Sequence, residues 1–194
     1  MRAIQPDLFN LLTSKSETRE QKRRLSHGGM KSKGTRKLKR PLSTKKWIHL
    51  ILKSDKAVGK LSLLSQRNAK WIDQLVRVKA KKFGVEIKDL VNVGNHLHFQ
   101  IKIVSRENFQ NFLRSITNLI ARHVTGARKG NRFGRFWQGL AFTRVITSFI
   151  ELTQLAYYFT ANKVESRRGY ASRKCYLDSA NAYIGRLRAG AKAT

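Results

Sequence analysis

The sequence predicts an α+β domain in which an antiparallel sheet carries helices packed on one face. Three observations predict it. Short β-rich segments alternate with two long helical stripes, their order reads β-α-β-β-α-β-α, and the segment Val91 to Val104 alternates apolar and polar residues with a period of two. In an extended chain that alternation gathers Val91, Val93, Leu97, Phe99, Ile101 and Ile103 on one face. Asn92, His96, His98, Gln100 and Lys102 fall on the other.

Each element has its own local cause. A first strand is expected near Trp47 to Leu52, which is apolar and β-branched. A helix follows from about Ser65 to Lys82, with Trp71, Ile72, Leu75, Val76 and Val78 as its apolar stripe and Gly84 marking its end. A strand near Val85 to Val93 and the histidine-bearing strand come next. Arg106 to Val124 then shows Phe109, Phe112, Leu113, Ile116, Leu119 and Ile120 at helical spacing, a stripe that reads as core. Gly126 to Arg135 is a basic loop, and Phe136 to Ile146 is a strand or hairpin. The last helix, Thr147 to Ser166, opens with Ser148 and Glu151 in capping-box spacing and contains neither Gly nor Pro. Phe149, Leu152, Leu155, Ala156 and Phe159 gather on one arc of it, bordered by Gln154, Tyr158 and Asn162.

The domain itself is expected over residues 47–168. Residues 1–46 read as a flexible basic arm and 169–194 as a basic tail, with a helix expected at Tyr176 to Leu187. The 41 Lys and Arg against 11 Asp and Glu give a net charge of +30, an excess that calls for a polyanionic partner, most simply nucleic acid. Lone Cys175 excludes an internal disulfide framework and a multi-cysteine zinc site, which fits a reducing cytoplasm. No apolar run is long enough to span a bilayer and no signal core follows the basic start, so a soluble protein with no membrane association is expected.

Chemistry concentrates in two places. His96 and His98 stand side by side on the polar face of one strand, where two neutral imidazoles can bind one divalent ion. Taken alone, such a pair is more often decoration of a solvated strand. Tyr158 and Asn162 are one turn apart on the last helix, so a phenol and an amide reach the same small volume. Tyr157 points elsewhere and has Ala161 in place of an Asn partner, which makes Tyr158 the candidate nucleophile.

Three blocks in order resemble the HUH single-tyrosine transposases, and within them the bacterial REP-associated tyrosine transposases. Gly94-Asn95-His96-Leu97-His98-Phe99 resembles the metal strand. Arg135-Phe136-Trp137-Gln138-Gly139, followed by Phe142-Thr143-Arg144-Val145, resembles the segment before the last strand. Tyr158-Phe159-Thr160-Ala161-Asn162-Lys163-Val164 is similar to the catalytic helix. The chain departs from the usual pattern at Gly94 and Lys163, where proline is common, and neither change removes a reactive group.

The resemblance implies a ferredoxin-like sheet, with His96, His98 and Asn162 as three ligands of one Mg²⁺ or Mn²⁺ ion; residue type alone also admits zinc. It implies attack by Tyr158 on single-stranded or hairpin DNA such as REP-like repeats, giving a 5′-phosphotyrosine link and a free 3′-hydroxyl. Relatives are monomers or homodimers, and a cytoplasmic, nucleoid-associated bacterial protein is expected. Candidate DNA contacts are Lys102, Arg122, Lys129, Arg132 and Arg135 beside the site, with Lys37, Lys39 and Arg40 in the arm. Trp137 either stacks on a base or, as the better expectation, packs in the sheet. Two other classes also explain the charge. A domesticated or non-catalytic nucleic-acid-binding protein would use neither metal nor Tyr158, and a metal-dependent hydrolase would release a 5′-phosphate without a protein adduct.

Overall fold

A computed structural model describes residues 19–29 and 39–168. Its elements, in chain order, are α1 (Arg19–Arg24), β1 (Ser26–His27), β2 (Ile48–Lys53), a 3-10 turn at Gly59–Leu61, α2 (Gln66–Lys82), β3 (Val85–Asn92), β4 (His96–Ile103), α3 (Arg106–Thr125), β5 (Phe142–Val145) and α4 (Phe149–Arg168). The five strands form one antiparallel sheet in the order β1-β5-β2-β4-β3. Without the short edge strand β1, this is the β-α-β-β-α-β arrangement of a ferredoxin-like domain. The α+β architecture is as the sequence predicts. Among the described residues no helix is long and apolar enough to cross a membrane.

The strand period of two decides which side each helix occupies. Ile48, Leu50 and Leu52 of β2 and Leu97, Phe99, Ile101 and Ile103 of β4 point to one face, where α2 and α3 cover them with Ile72, Val76, Phe109, Phe112, Ile116 and Ile120. Each such fully buried side chain contributes about 1.5–3 kcal/mol. Ser105 caps α3 by accepting from the Asn108 amide at 3.1 Å, and Gly126, at φ +68°, ends it in the left-handed region. On the opposite face, α4 sets Leu155 and Phe159 over Val91 and Ile146, a second and smaller core.

Several details differ from the sequence reading. Ile87 pairs with Ile101 but Asp89 with Gln100, so β3 carries one extra residue there. The chain then reverses through Gly94 and Asn95, and this two-residue turn pairs odd with even positions, so the alternation of β3 does not run on into β4. Val91 therefore pairs with His98 and, with Val93, packs under α4 rather than with Leu97 and Phe99. Asn92 leaves the histidine face and donates to the Leu63 carbonyl at 2.7 Å. At Gly94 φ is +92°, a value proline cannot adopt, so the glycine here belongs to the shape of the turn. On α2, Val78 is exposed and Asn68 and Ala80 take the buried arc; on α4, Phe149 and Ala156 are exposed. Phe136 to Ala141 runs as irregular chain, and only Phe142–Val145 is strand.

The basic arm is also partly built into the fold. Ser26 and His27 pair with Arg144 and Thr143, and Leu25 packs on the first core while its carbonyl accepts from the Val145 amide at 3.0 Å. Without this strand β5 would present an open edge. Arg40 is half-buried, donating to the Ala141 carbonyl at 2.8 Å and to Thr143 Oγ1 at 2.7 Å. Two parts of the arm, Leu25 to His27 and Arg40, are thus held in the fold because β5 and the chain before it offer unused backbone groups, a cause invisible in local composition. Lys37, Cys175 and the helix expected at Tyr176 to Leu187 lie outside the described residues.

The start of α4 is fixed by charge. Glu151 is buried and ion-paired with buried Arg144 of β5. Its other oxygen accepts from the Thr147 amide at 2.8 Å and Thr147 Oγ1 at 2.9 Å, while Ser148 Oγ accepts from the Glu151 amide at 3.2 Å. The capping-box residues are those expected, with Glu151 reaching one residue further back. Lys163 Nζ, 2.8 Å from Asp89, ties the far part of the helix to β3.

Two consequences are measurable. Glu151→Ala leaves Arg144 buried without its carboxylate and should lower the unfolding free energy by about 3–5 kcal/mol, whereas Asp73→Ala, which breaks the exposed Arg77 pair, should change it by less than about 1 kcal/mol; urea unfolding compares them. Gly28 has φ +83°, and a Cβ there would sit 2.1 Å from the Ala141 carbonyl oxygen. Gly28→Ala should cost the β1 contact about 1–3 kcal/mol and speed hydrogen exchange of the Val145 amide roughly 10- to 100-fold; unchanged protection would mean that residues 25–29 do not hold this edge.

Candidate active site

Between the sheet and α4 lies a layer of polar side chains that the fold closes over. In β4, His96 and His98 project to this face, His96 half-exposed and His98 fully buried. Their rings lie 4.5 Å apart at 75°. Alternation places the imidazoles here for the same reason that it places Leu97 and Phe99 in the other core.

Helix α4 brings Tyr158 to them. The Tyr158 ring stands 5.2 Å from that of His98 and nearly perpendicular to it, at 85°. Phe159, next in sequence and fully buried, packs 5.8 Å from His98. Asn162, one turn beyond Tyr158, is buried, and its side-chain Nδ2 has no hydrogen-bond partner. An amide sequestered in this way costs about 1–3 kcal/mol unless something satisfies it. His96, His98, Tyr158 and Asn162 are thus all found in the layer between the sheet and α4.

A third histidine belongs to the same cluster and was not singled out by the sequence. His49, on β2, lies diagonally across from His98, with Nε2 3.2 Å from His98 Nδ1 and the rings stacked 5.4 Å apart at 24°. Phe142, Tyr158 and Phe159 surround it edge-on. Burial, then the charge of Arg144 and of His96, pushes its pKa down to about 3, so the imidazole is neutral at physiological pH. One signal for it was present: a histidine in an otherwise apolar strand at the parity of the opposite face. Gln100, directly across from His49 in the register, is also buried, and its Nε2 has no hydrogen-bond partner.

The proposed DNA contacts divide into two sets. Arg122, Lys129 and Arg132 are exposed and, with Arg128, line an open cleft of about 320 Å³ around Phe133. Arg135 and Lys39 are exposed as well. The others have structural duties. Lys102 lies 4.6 Å from the centre of the Trp47 ring, and Arg40 is tied to β5 as described. Trp137 packs against the first core at 5.0 Å from Phe136 and donates its Nε1 proton to the Thr117 carbonyl at 2.8 Å, so it is a packing residue, the better of its two expected roles. A second cleft of about 480 Å³, beside Trp137, includes Arg40, Lys53 and Arg114. Among the described residues no three His, Cys, Asp or Glu side chains gather in a way that could hold a metal ion.

No protein-family model matches the chain, and no curated protein matches it. Among solved structures, a REP-associated tyrosine transposase bound to a REP hairpin superposes with a TM-score of 0.54 at 16% identity, over 69% of this chain and 75% of that one. A protein described as a candidate transposase from Deinococcus radiodurans R1 superposes with a TM-score of 0.40 at 16% identity, over 66% of this chain and 98% of that one. The chain has the fold of a REP-associated tyrosine transposase, the architecture that its three motif blocks imply.

Proposed function

We propose that this protein is a metal-dependent DNA transesterase of the transposase type, with Tyr158 as nucleophile on single-stranded or hairpin DNA. The observation that carries this reading is the placement of the Tyr158 ring 5.2 Å from His98, on a helix clamped to the opposite strand by Arg144 and Glu151. The solved relative in fold binds a REP hairpin, and the +30 charge of this chain suits a polyanionic partner and residence on the bacterial nucleoid.

The residues fit a divalent ion. Nδ1 of His96 meets Asn95 Oδ1, an acceptor, so His96 carries its proton there and its lone pair is on Nε2. Nδ1 of His98 is engaged by His49. Asn162, whose Nδ2 has no hydrogen-bond partner, would offer its oxygen as third ligand on rotation of the side-chain amide. Mg²⁺ or Mn²⁺ suits this set, with the two imidazoles favouring Mn²⁺. When bound, the ion withdraws charge from a non-bridging phosphate oxygen and orients the phosphodiester.

The chain's own groups perform the rest. A phenol with a reference pKa near 10 is a weak nucleophile at neutral pH, so attack depends on position. Tyr158 is held by the layer of aromatic rings around it, which limits the orientations its oxygen samples. Its Oη forms a bond to phosphorus, the bond from phosphorus to the 3′-oxygen breaks, and the phenolic proton is lost as the 3′-oxygen gains one. The product is a 5′-phosphotyrosine and a free 3′-hydroxyl. Because one phosphodiester replaces another, a 3′-hydroxyl can reverse the step without ATP. Exposed Arg122, Lys129 and Arg132 hold the strand by neutralising phosphates.

Labelled hairpins, including REP-like repeats, incubated with the protein and Mn²⁺ should give a covalent adduct on a denaturing gel. Tyr158→Phe should abolish the adduct with affinity nearly unchanged, and His96→Ala should lose cleavage at the same DNA occupancy. Binding that survives both changes, with no adduct on any hairpin from the wild type, would identify a non-catalytic DNA-binding protein. Arg132→Ala should weaken binding to all sequences alike and reduce the slope of log K against log salt by about one.

A further inference from the structure

We infer that His49 is a positioning residue, which accepts a hydrogen bond from Nδ1 of His98 and so fixes His98 as the tautomer whose Nε2 lone pair can bind a divalent cation. The inference deepens the metal-dependent reading above and rests on it for its purpose, though not for its geometry.

Two neutral imidazoles whose Nε2 and Nδ1 atoms lie 3.2 Å apart share one proton, and only two arrangements satisfy both. Either His98 Nδ1 donates to His49 Nε2, or His49 Nε2 donates to His98 Nδ1. The second arrangement puts the one His98 ring N–H proton on Nε2, where it would block coordination. The first puts the lone pair there. On the same strand His96 faces no such choice, since Asn95 Oδ1 accepts from its Nδ1. With His98 donating to His49, both histidines of β4 become the same tautomer, each with an acceptor behind it and a ligand nitrogen in front.

The surroundings of His49 hold it to a single proton, so with that proton on Nδ1 its Nε2 is an acceptor. It is 3% exposed and enclosed by Phe142, Tyr158 and Phe159, so a second proton would be a buried charge, and Arg144 opposite it in the register adds repulsion. The sheet register fixes its distance to His98 through the backbone: Ile51 pairs with His98 and Gln100 with His49, which makes the two histidines diagonal neighbours on a doubly covered strand pair. An apolar residue would fill this site at no desolvation cost. A buried histidine here is explained by the hydrogen bond that it makes.

The test reads the tautomer directly. Long-range ¹H–¹⁵N spectra of the full-length, metal-free protein at neutral pH should show His98 protonated on Nδ1. Two variants separate positioning from packing. His49→Phe keeps an aromatic ring and removes the acceptor; His98 should shift toward the Nε2–H form, and Mn²⁺ affinity, followed by electron paramagnetic resonance of the free ion, should fall about 10- to 100-fold. His49→Gln restores an acceptor oxygen and should recover most of the affinity and the Nδ1–H form. A wild-type His98 protonated on Nε2 overturns the inference, as does a folded His49→Phe protein with unchanged tautomer and unchanged Mn²⁺ affinity. If His49→Phe fails to fold, the wild-type tautomer and the His49→Gln protein decide. A wild type with His98 protonated on Nδ1 that binds no Mn²⁺ would sink the metal-dependent function while leaving the His49 contact as inferred.

Discussion

Burial of the β2–β4 pair on both faces is the constraint on which the rest of this structure depends. A strand covered on one side can leave its polar residues in water, but here α2 and α3 close one face and α4 the other. Side chains of strict period two must therefore meet two different interiors. Leu50, Leu52, Leu97 and Phe99 enter a core that is almost entirely apolar, whereas His49, His98 and Gln100 enter the α4 layer. Every polar group in that layer has to find a partner or leave a cost, and that requirement shapes how α4 docks.

The docking of α4 follows from the same requirement. Its apolar content alone is small: Leu155 and Phe159 carry the buried contact, while Phe149 and Ile150 at its start are exposed. The helix is held where it is by polar clamps at both ends, Glu151 to Arg144 and Lys163 to Asp89. The first is buried and sensitive to loss of either partner; the second is partly exposed and contributes little by itself. Between them the helix face presents Tyr158 and Asn162 to the histidines.

How much of this could be read in the sequence depended on whether the cause was local. The stripe of α3, that of α2 apart from exposed Val78, the Ser148 and Glu151 cap, the parity of His96 and His98, and the one-turn spacing of Tyr158 and Asn162 follow from periodicity within a single element, and the structure has them in those places. The features that escaped arise between elements. The turn at Gly94 and Asn95 put Val91 on the histidine face, because a two-residue reversal pairs odd with even positions and the alternation does not run through it. Residues 25–29 look like any basic linker, yet the open edge of β5 gives their backbone a place to pair. His49 is not legible locally, since its neighbours Ile48 and Leu50 mark a plain core strand, and its meaning appears only when β4 lies beside β2 with His98 on the diagonal.

The distribution of buried polar groups argues that the α4 layer was not shaped for stability. Of the ten buried polar or charged residues among those described, seven belong to α4 or to the sheet face beneath it: His49, His98, Gln100, Arg144, Glu151, Gln154 and Asn162. Replacing such groups by well-packed apolar residues is often neutral or stabilising, and the opposite face of the same strands shows that apolar packing is accessible to this sheet. Gln100 and Asn162 even keep side-chain nitrogens with no hydrogen-bond partner. This chain folds around one conventional core and one polar layer, on the two faces of a single pair of strands, and the second holds the groups that chemistry would need. Departures from folding rules gather at sites of function, and here they gather around the histidine pair and Tyr158.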